Sequence, residues 1–339
     1  MRILVATDAW LPQINGVVRT LTALAESIEP LGASLEFLTP EGMTTIPLPS
    51  YPGIRVALPR PRRIAARIAE LEPDAIHIAT EGPIGLVTRR YCQSRGRSFT
   101  TSFHTRFAEY IAARWPIPEC ASWSWLRWFH NGGRGTMAAT ASLAEELAEH
   151  GFKSVLRWSR GVDTRLFRPR PDASLGLLRP IFLTVGRLAV EKNLDAFLSL
   201  DLPGSKVVVG EGPLRDELVR RCPRAIFLGS KHGDELARIY AAADVFVFPS
   251  LTDTFGLVLL EALACGTPIA GFPVAATRDV IGSAPVAVLD QDLRAACLNA
   301  LALSRAACRD YAETMSWDTS ARSFLENVRQ AGAVLRPQQ

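Results

Sequence analysis

At 339 residues, with 48% hydrophobic and 21% charged residues, the chain is long enough for two domains that each bury a core. Its six cysteines (Cys92, Cys120, Cys222, Cys265, Cys297, Cys308) show no C-x-x-C pair and no histidine at ligand spacing, which excludes a disulfide framework or zinc site and points to a reducing cytoplasm. The net charge of +4 lies in the first half, where residues 1–160 carry 18 Lys and Arg against 14 Asp and Glu, while residues 161–339 balance at 20 against 20; no nucleic-acid motif accompanies the excess, and no nucleic-acid partner is expected.

The opening MRILVATDAW enters a buried-strand pattern at once, without the regions of a secretory leader, and no apolar run approaches the ~20 residues of a spanning helix. Any membrane contact is expected to be peripheral. Short runs rich in Val, Ile and Phe then alternate with amphipathic stretches, the pattern of strand-helix-strand units around a parallel sheet. In the first half, strands are predicted at Ile3–Ala6, Leu35–Leu38, Ala75–Ile78, Phe99–Ser102 and Val155–Trp158. Asn15-Gly16-Val17-Val18 opens the first helix, a place where backbone amides approach a phosphate, though a full G-x-G-x-x-G is lacking. His77 reads as core, and Thr80-Glu81-Gly82-Pro83 closes its strand, with Glu81 placed to face an acceptor. His104, with Arg106 and Tyr110 in SFHTRFAEY, stands at a strand end and suits either a sugar hydroxyl or a structural role. Arginines cluster at Arg60, Arg62, Arg63 and Arg67, then at Arg89, Arg90, Arg95 and Arg97, fitting an anionic lipid surface or solvated helix faces. Trp115, Trp123, Trp125 and Trp128, beside Arg114 and Arg127, fit a lipid-touching segment, an aromatic helix packed on the sheet, or a sugar-stacking wall.

Residues 160–180, with Pro169, Pro171 and Pro180 and little periodicity, are the expected linker. A second series follows at Ile181–Val185, Lys206–Val209, Ala225–Leu228, Val245–Phe248, Pro268–Ala270 and Val286–Leu289, closed by a helix from Trp317 to Val334. In a parallel sheet, ligands bind beyond the carboxyl ends of the strands. There the sequence places Gly186-Arg187 and Glu191-Lys192-Asn193, then Gly210-Glu211-Gly212-Pro213, then PSLTDTFGLVLLEALACG. Lys192 is one of only four lysines among the 38 Lys and Arg. An arginine fork beside a compact ammonium suits a diphosphate. Asp253 and Glu261 lie on either side of a helix start near Gly256, where free amides suit a phosphate or sugar oxygen and the carboxylates suit sugar and ribose hydroxyls. Taken singly, Gly210 and Gly212 also read as turn glycines and Glu261 as a solvated helix residue.

Together, TDAWLPQINGVVRTL, SFHTRFAEY, RGVDTRLFRP, VGRLAVEKNL, VVGEGPL, FVFPSLTDTFGLVLLEALACGTP and MSWDTSARSFLENV resemble the family four glycosyltransferases, over essentially the whole chain. The similarity is strongest to the branch of bacterial diacylglycerol glycosyltransferases and GDP-mannose-dependent mannosyltransferases. It implies an α/β chain of GT-B fold, with two Rossmann-like doubly wound domains facing a cleft: residues 1–165 plus a returning helix at 317–335, and residues 175–316. It implies a retaining hexosyltransferase that uses a nucleotide sugar as substrate and needs no metal or cofactor. Arg187 and Lys192 would stabilise the departing diphosphate and Glu261 would hold the ribose. Gly210 and the backbone of Phe255, Gly256 and Leu257 would line the donor, Gly16 would approach its phosphates, and His104 would touch the transferred sugar. Asp253, where the family usually has glutamate, would contact that sugar from a carboxylate one methylene shorter.

The leading reading is transfer from UDP-glucose, UDP-glucuronate or UDP-galactose to a membrane lipid such as diacylglycerol, giving a glycolipid. The enzyme would sit peripherally on an anionic membrane, at the inner face of the cytoplasmic membrane. Two alternatives stand beside it: a GDP-mannose-dependent alpha-mannosyltransferase with a lipid or soluble acceptor, and a UDP-sugar epimerase on the same fold. A non-catalytic basic surface-binding protein is disfavoured by Arg187 and Lys192 beside the glycine loops.

Overall fold

The computed structural model describes residues 1–11, 15–48, 51–104 and 118–333, without the side chains of 48, 51–54 and 333. The chain forms two compact units: Met1–Ser159 together with the residues from Trp317 onward, and Arg160–Ser316.

The first unit opens with β1 (Arg2–Ala6), α1 (Gly16–Ile28) and β2 (Ser34–Leu38), followed by a hairpin of β3 (Thr45–Leu48) and β4 (Tyr51–Ala57). Then come α2 (Pro61–Leu71), β5 (Ala75–Ile78), α3 (Pro83–Ser94), β6 (Thr100–Ser102), α4 (Glu119–His130), β7 (Thr136–Ala138), α5 (Ala141–Glu149) and β8 (Val155–Arg157). The main sheet is parallel, in the order β2-β1-β5-β6-β7-β8. After exposed Arg2, β1 is apolar from Ile3 to Ala6 because both of its faces are covered. Ile3 and Val5 pack under Leu21 and Leu24 of α1, while Leu4 and Ala6 pack under Ile64 and Ile68 of α2 and Ile84 of α3. The strand at Thr136–Ala138 and the hairpin were not among the predicted strands. Thr-Met-Ala carries no β-branched apolar run, and the proline at position 47 sits in a two-stranded sheet with an open edge.

The second unit contains β9 (Ile181–Val185), α6 (Leu194–Leu198), β10 (Ser205–Val209), α7 (Arg215–Arg221), β11 (Ile226–Phe227), α8 (Gly233–Ala242) and β12 (Val245–Phe248). It continues through α9 (Leu257–Ala264), β13 (Ile269–Gly271), α10 (Ala275–Ile281), β14 (Ala287–Leu289), α11 (Leu293–Ala300) and α12 (Arg305–Glu313). Its parallel sheet has the doubly wound order β11-β10-β9-β12-β13-β14, so the strand order reverses between β9 and β12. The expected linker is ordered against this unit over its first half. Arg309 of α12 donates to the carbonyls of Thr164, Phe167 and Ala264 at 2.8 to 3.0 Å, and Val162 N donates to Met315 O at 3.0 Å. An aperiodic, proline-rich backbone is thus satisfied by arginine donors instead of by a ladder.

The last helix, α13 (Trp317–Ala333), belongs to the first unit. Phe324, Leu325 and Val328 pack with Ile3, Val5 and Trp158. The Trp158 indole donates to Ser320 Oγ at 3.1 Å, and Asn327 Nδ2 donates to Arg157 O at 2.8 Å.

Candidate active site

In the second unit, the loops after β9, β10 and β12 meet at the point where the strand order reverses. Backbone bonds lace the first two together: Gly186 N to Val209 O and Leu188 N to Glu211 O, both 2.9 Å. The approach is so close that a Cβ on Gly210 would stand 1.9 Å from Gly186 O, and one on Gly212 would stand 2.3 Å from Leu188 O. These glycines are therefore fixed by packing. Arg187 is exposed at the tip of this layer.

Lys192 closes a 3-10 turn, and Asn193 follows it in the left-handed region at φ 49°. The Asn193 amide donates to Pro249 O at 3.1 Å and Ser250 Oγ donates to Glu191 O at 3.2 Å, bolting the β9 loop to the β12 loop. Lys192 Nζ then lies 2.7 and 2.8 Å from the two oxygens of Asp253. The two residues assigned separately to diphosphate and sugar are partners of each other. Beyond Asp253, α9 starts after Gly256, itself left-handed at φ 81°, and no side chain caps its first turn. By contrast, Asn15 Oδ1 accepts from Val17 N and Val18 N at 3.0 Å at the start of α1, so the Gly16 helix entrance is already capped by a neutral amide oxygen, with which any phosphate would have to share those donors. Phe255 is buried and Leu257 half-buried.

Glu261 corrects an expectation. It is 6% exposed, inside a helix that is apolar nearly all round, and its Oε2 accepts the hydroxyl of fully buried Tyr240 at 2.9 Å. The carboxylate is a core group, not a solvated one, and one oxygen expected for the ribose is engaged by a tyrosine that sequence reading did not connect to it.

At the corresponding reversal in the first unit, between β1 and β5, the sequence reading missed Asp8. Its carboxylate accepts from Ile84 N at 2.8 Å, Gly85 N at 3.3 Å and Thr80 Oγ1 at 2.9 Å, capping α3 from another strand's loop. Burial, aided by repulsion from Glu81, raises the Asp8 pKa above 3.8, despite those hydrogen bonds. An acid whose folded pKa is raised loses stabilising power as pH climbs from its unfolded value through the folded one. Urea midpoints should accordingly fall across that acidic window, and Asp8→Asn should flatten the fall; an unaltered profile would count against the assignment.

Glu81 does not face outward. It is 4% exposed and pairs with His130 Nε2 at 3.1 Å, while His130 Nδ1 lies 2.8 Å from Thr101 Oγ1. His77 is core as expected, between Thr100 and Ser102 hydroxyls at 2.8 and 2.7 Å. His104 follows β6 with its ring edge-on to Trp158 at 5.8 Å. Arg106, Tyr110 and Trp115 lie outside the described residues.

The tryptophans divide. Trp123 is buried, stacked on His150 at 3.7 Å. Trp125 and Trp128 are 37% and 53% exposed on α4, beside exposed Arg127. Arg89, counted with the basic clusters, is buried under Trp128 at 3.8 Å and donates to the carbonyls of Trp128 and Phe129. Arg67 pairs with Glu70 at 2.9 Å, leaving Arg60, Arg62 and Arg63 as exposed basic residues, and Ile46 and Leu58 of the same unit also face solvent. Among the described residues, no group of three or more His, Cys, Asp or Glu is arranged to hold a metal ion, and no helix is long and apolar enough to cross a membrane.

Two doubly wound units, one with cations on the carboxyl edge of its sheet, define an α/β protein of two Rossmann-like units. The Glycosyltransferase Family 4 model matches residues 14–166 and the Glycosyl transferases group 1 model matches residues 179–304. The chain belongs to the family four glycosyltransferases and has the GT-B fold. It is 29% identical over 310 residues to a GDP-mannose-dependent alpha-mannosyltransferase of Mycobacterium tuberculosis, covering 83% of this chain and 81% of that one. It is 30% identical over 259 residues to the sulfoquinovosyl transferase of Arabidopsis thaliana, covering 71% of this chain and 50% of the relative. A sucrose-phosphate synthase from Thermosynechococcus elongatus shares the fold at a TM-score of 0.80 and 20% identity, over 98% of this chain and 99% of its own. Anabaena HepE in complex with UDP and glucose does so at 0.72 and 14%, over 97% and 100%.

Proposed function

We propose that the chain is a retaining hexosyltransferase that moves a sugar from a nucleoside diphosphate to a lipid acceptor at a membrane surface. The observation that carries the donor half is the Lys192 ammonium, fixed by bolted loops at the strand-order reversal with Arg187 five positions before it. Two cations carried on the same loop supply the charge that a departing diphosphate needs, and the uncapped start of α9 adds backbone amides. Asp253 and Tyr240-bound Glu261 are the carboxylates of the same edge.

For the donor, GDP-mannose is favoured by the name of the mycobacterial relative, which matches over most of both chains. UDP-glucose, UDP-glucuronate and UDP-galactose form the second reading, which the sequence placed first. The lipid half of the reading rests on Trp125 and Trp128, three positions apart on one exposed face of α4, with exposed Arg127 on the same helix and Arg60, Arg62 and Arg63 on the same unit.

The test is incubation of the protein with each of the four donors and vesicles containing diacylglycerol and anionic phospholipid. The expected result is a new glycolipid from one donor, with retained anomeric configuration. Conversion of a UDP-sugar to its epimer without lipid would replace this reading with the epimerase, and transfer only to soluble acceptors would remove its lipid half.

A further inference from the structure

Lys192 and Asp253 are 61 residues apart in sequence, and the loops that carry them are tied by two independent hydrogen bonds. The backbone on both sides is therefore held, while the two side chains can rotate. Both Asp253 oxygens lie within 2.8 Å of Nζ, so the ammonium points its donors at the protein's own carboxylate. The pair is neither sealed nor superficial, with side-chain exposures of 25% and 17%. A ligand can reach it, yet parting the charges costs more than at an open surface.

We propose that this ion pair is a latch on the donor site. In the donor-free chain Asp253 keeps Lys192 for itself, and an incoming diphosphate must take the ammonium away. Once parted, the partly desolvated carboxylate needs other hydrogen-bond donors. The hydroxyls of a sugar attached to the diphosphate can supply them, whereas a nucleoside diphosphate alone brings none to that position. The latch thus favours the intact donor over the spent nucleotide, and re-forming it helps expel the nucleotide after transfer. The proposal rests on the reading that Lys192 meets the diphosphate, and the test separates the two.

Titration calorimetry with UDP, GDP, UDP-glucose and GDP-mannose is done on the wild type and on Asp253→Asn, Asp253→Ala and Lys192→Ala. Removing the carboxylate should tighten the preferred free diphosphate by about three- to tenfold, the scale of a partly exposed pair, and shrink the advantage of the nucleotide sugar by a similar factor. Alanine is included because asparagine can still accept from the ammonium. If both Asp253 variants bind the diphosphate no better than wild type while Lys192→Ala binds it worse, the latch is refuted and the diphosphate reading stands. If Lys192→Ala binds it as well as wild type, the diphosphate reading falls and the latch with it.

Discussion

Replacing Lys192 by alanine should lower the rate of sugar transfer by about 10²- to 10³-fold, the usual cost of removing one preorganised charge-stabilising group. The fold should survive. The side chain closes no core, and its ion pair with Asp253 keeps part of its exposure, so loss of the pair should cost no more than about 1.5 kcal/mol. Steady-state kinetics beside a thermal melt separates these effects: a rate within threefold of wild type would remove Lys192 from the chemistry. Arg187 provides the comparison. It is exposed on the same loop and would meet the same diphosphate, so its removal should also slow transfer without unfolding the chain.

The largest effect on stability is expected at Gly210. An alanine Cβ there would stand 1.9 Å from Gly186 O, on a backbone at φ 140°, and the obstacle is main chain that is itself hydrogen-bonded to Val209. The loops after β9 and β10 would have to separate, at a cost of about 3 kcal/mol or more. Gly282→Ala serves as the control. Gly282 also has a positive φ, 59° with ψ −131°, but a Cβ there meets nothing within 4 Å. Its substitution should cost about 1 to 2 kcal/mol, the backbone strain alone. Urea unfolding of the two variants reads the difference, and equal midpoints would show that the contact between the loops can relax.

The strands legible in the sequence were those with runs such as Ile-Phe-Leu-Thr-Val and Val-Phe-Val-Phe, because a parallel sheet covered on both faces demands apolar residues at successive positions. Thr136–Ala138 has no such run, and only its neighbours in the sheet make it a strand. The site was legible as a set of residues and not as a set of pairs. Lys192 and Asp253 are joined by the reversal in strand order, which a linear reading can anticipate but cannot register to a particular carboxylate. Asp8 was hidden in the same way, since its partners sit at Thr80, Ile84 and Gly85 on another strand's loop. The burial of Glu261 had a local signal: LVLLEALA is apolar on every face and leaves no wet side for its one carboxylate. Trp123 and Trp128 lie five positions apart, too far round a helix to share a face, and this separation divides a stacked interior ring from an exposed one.

The return of α13 to the first unit has a consequence for synthesis. The first unit is encoded discontinuously, with Arg160–Ser316 inserted into it. On the ribosome, Ile3, Val5 and Trp158 are made long before Phe324 and Val328, which cover them. At about 5–20 residues per second, the intervening segment delays that cover by roughly ten to thirty seconds. The second unit, whose sequence is unbroken, has all its own residues in hand before the first can finish. The order of completion is therefore the reverse of the order of translation, and the exposed face of the first sheet is the surface that a chaperone would meet in the interval.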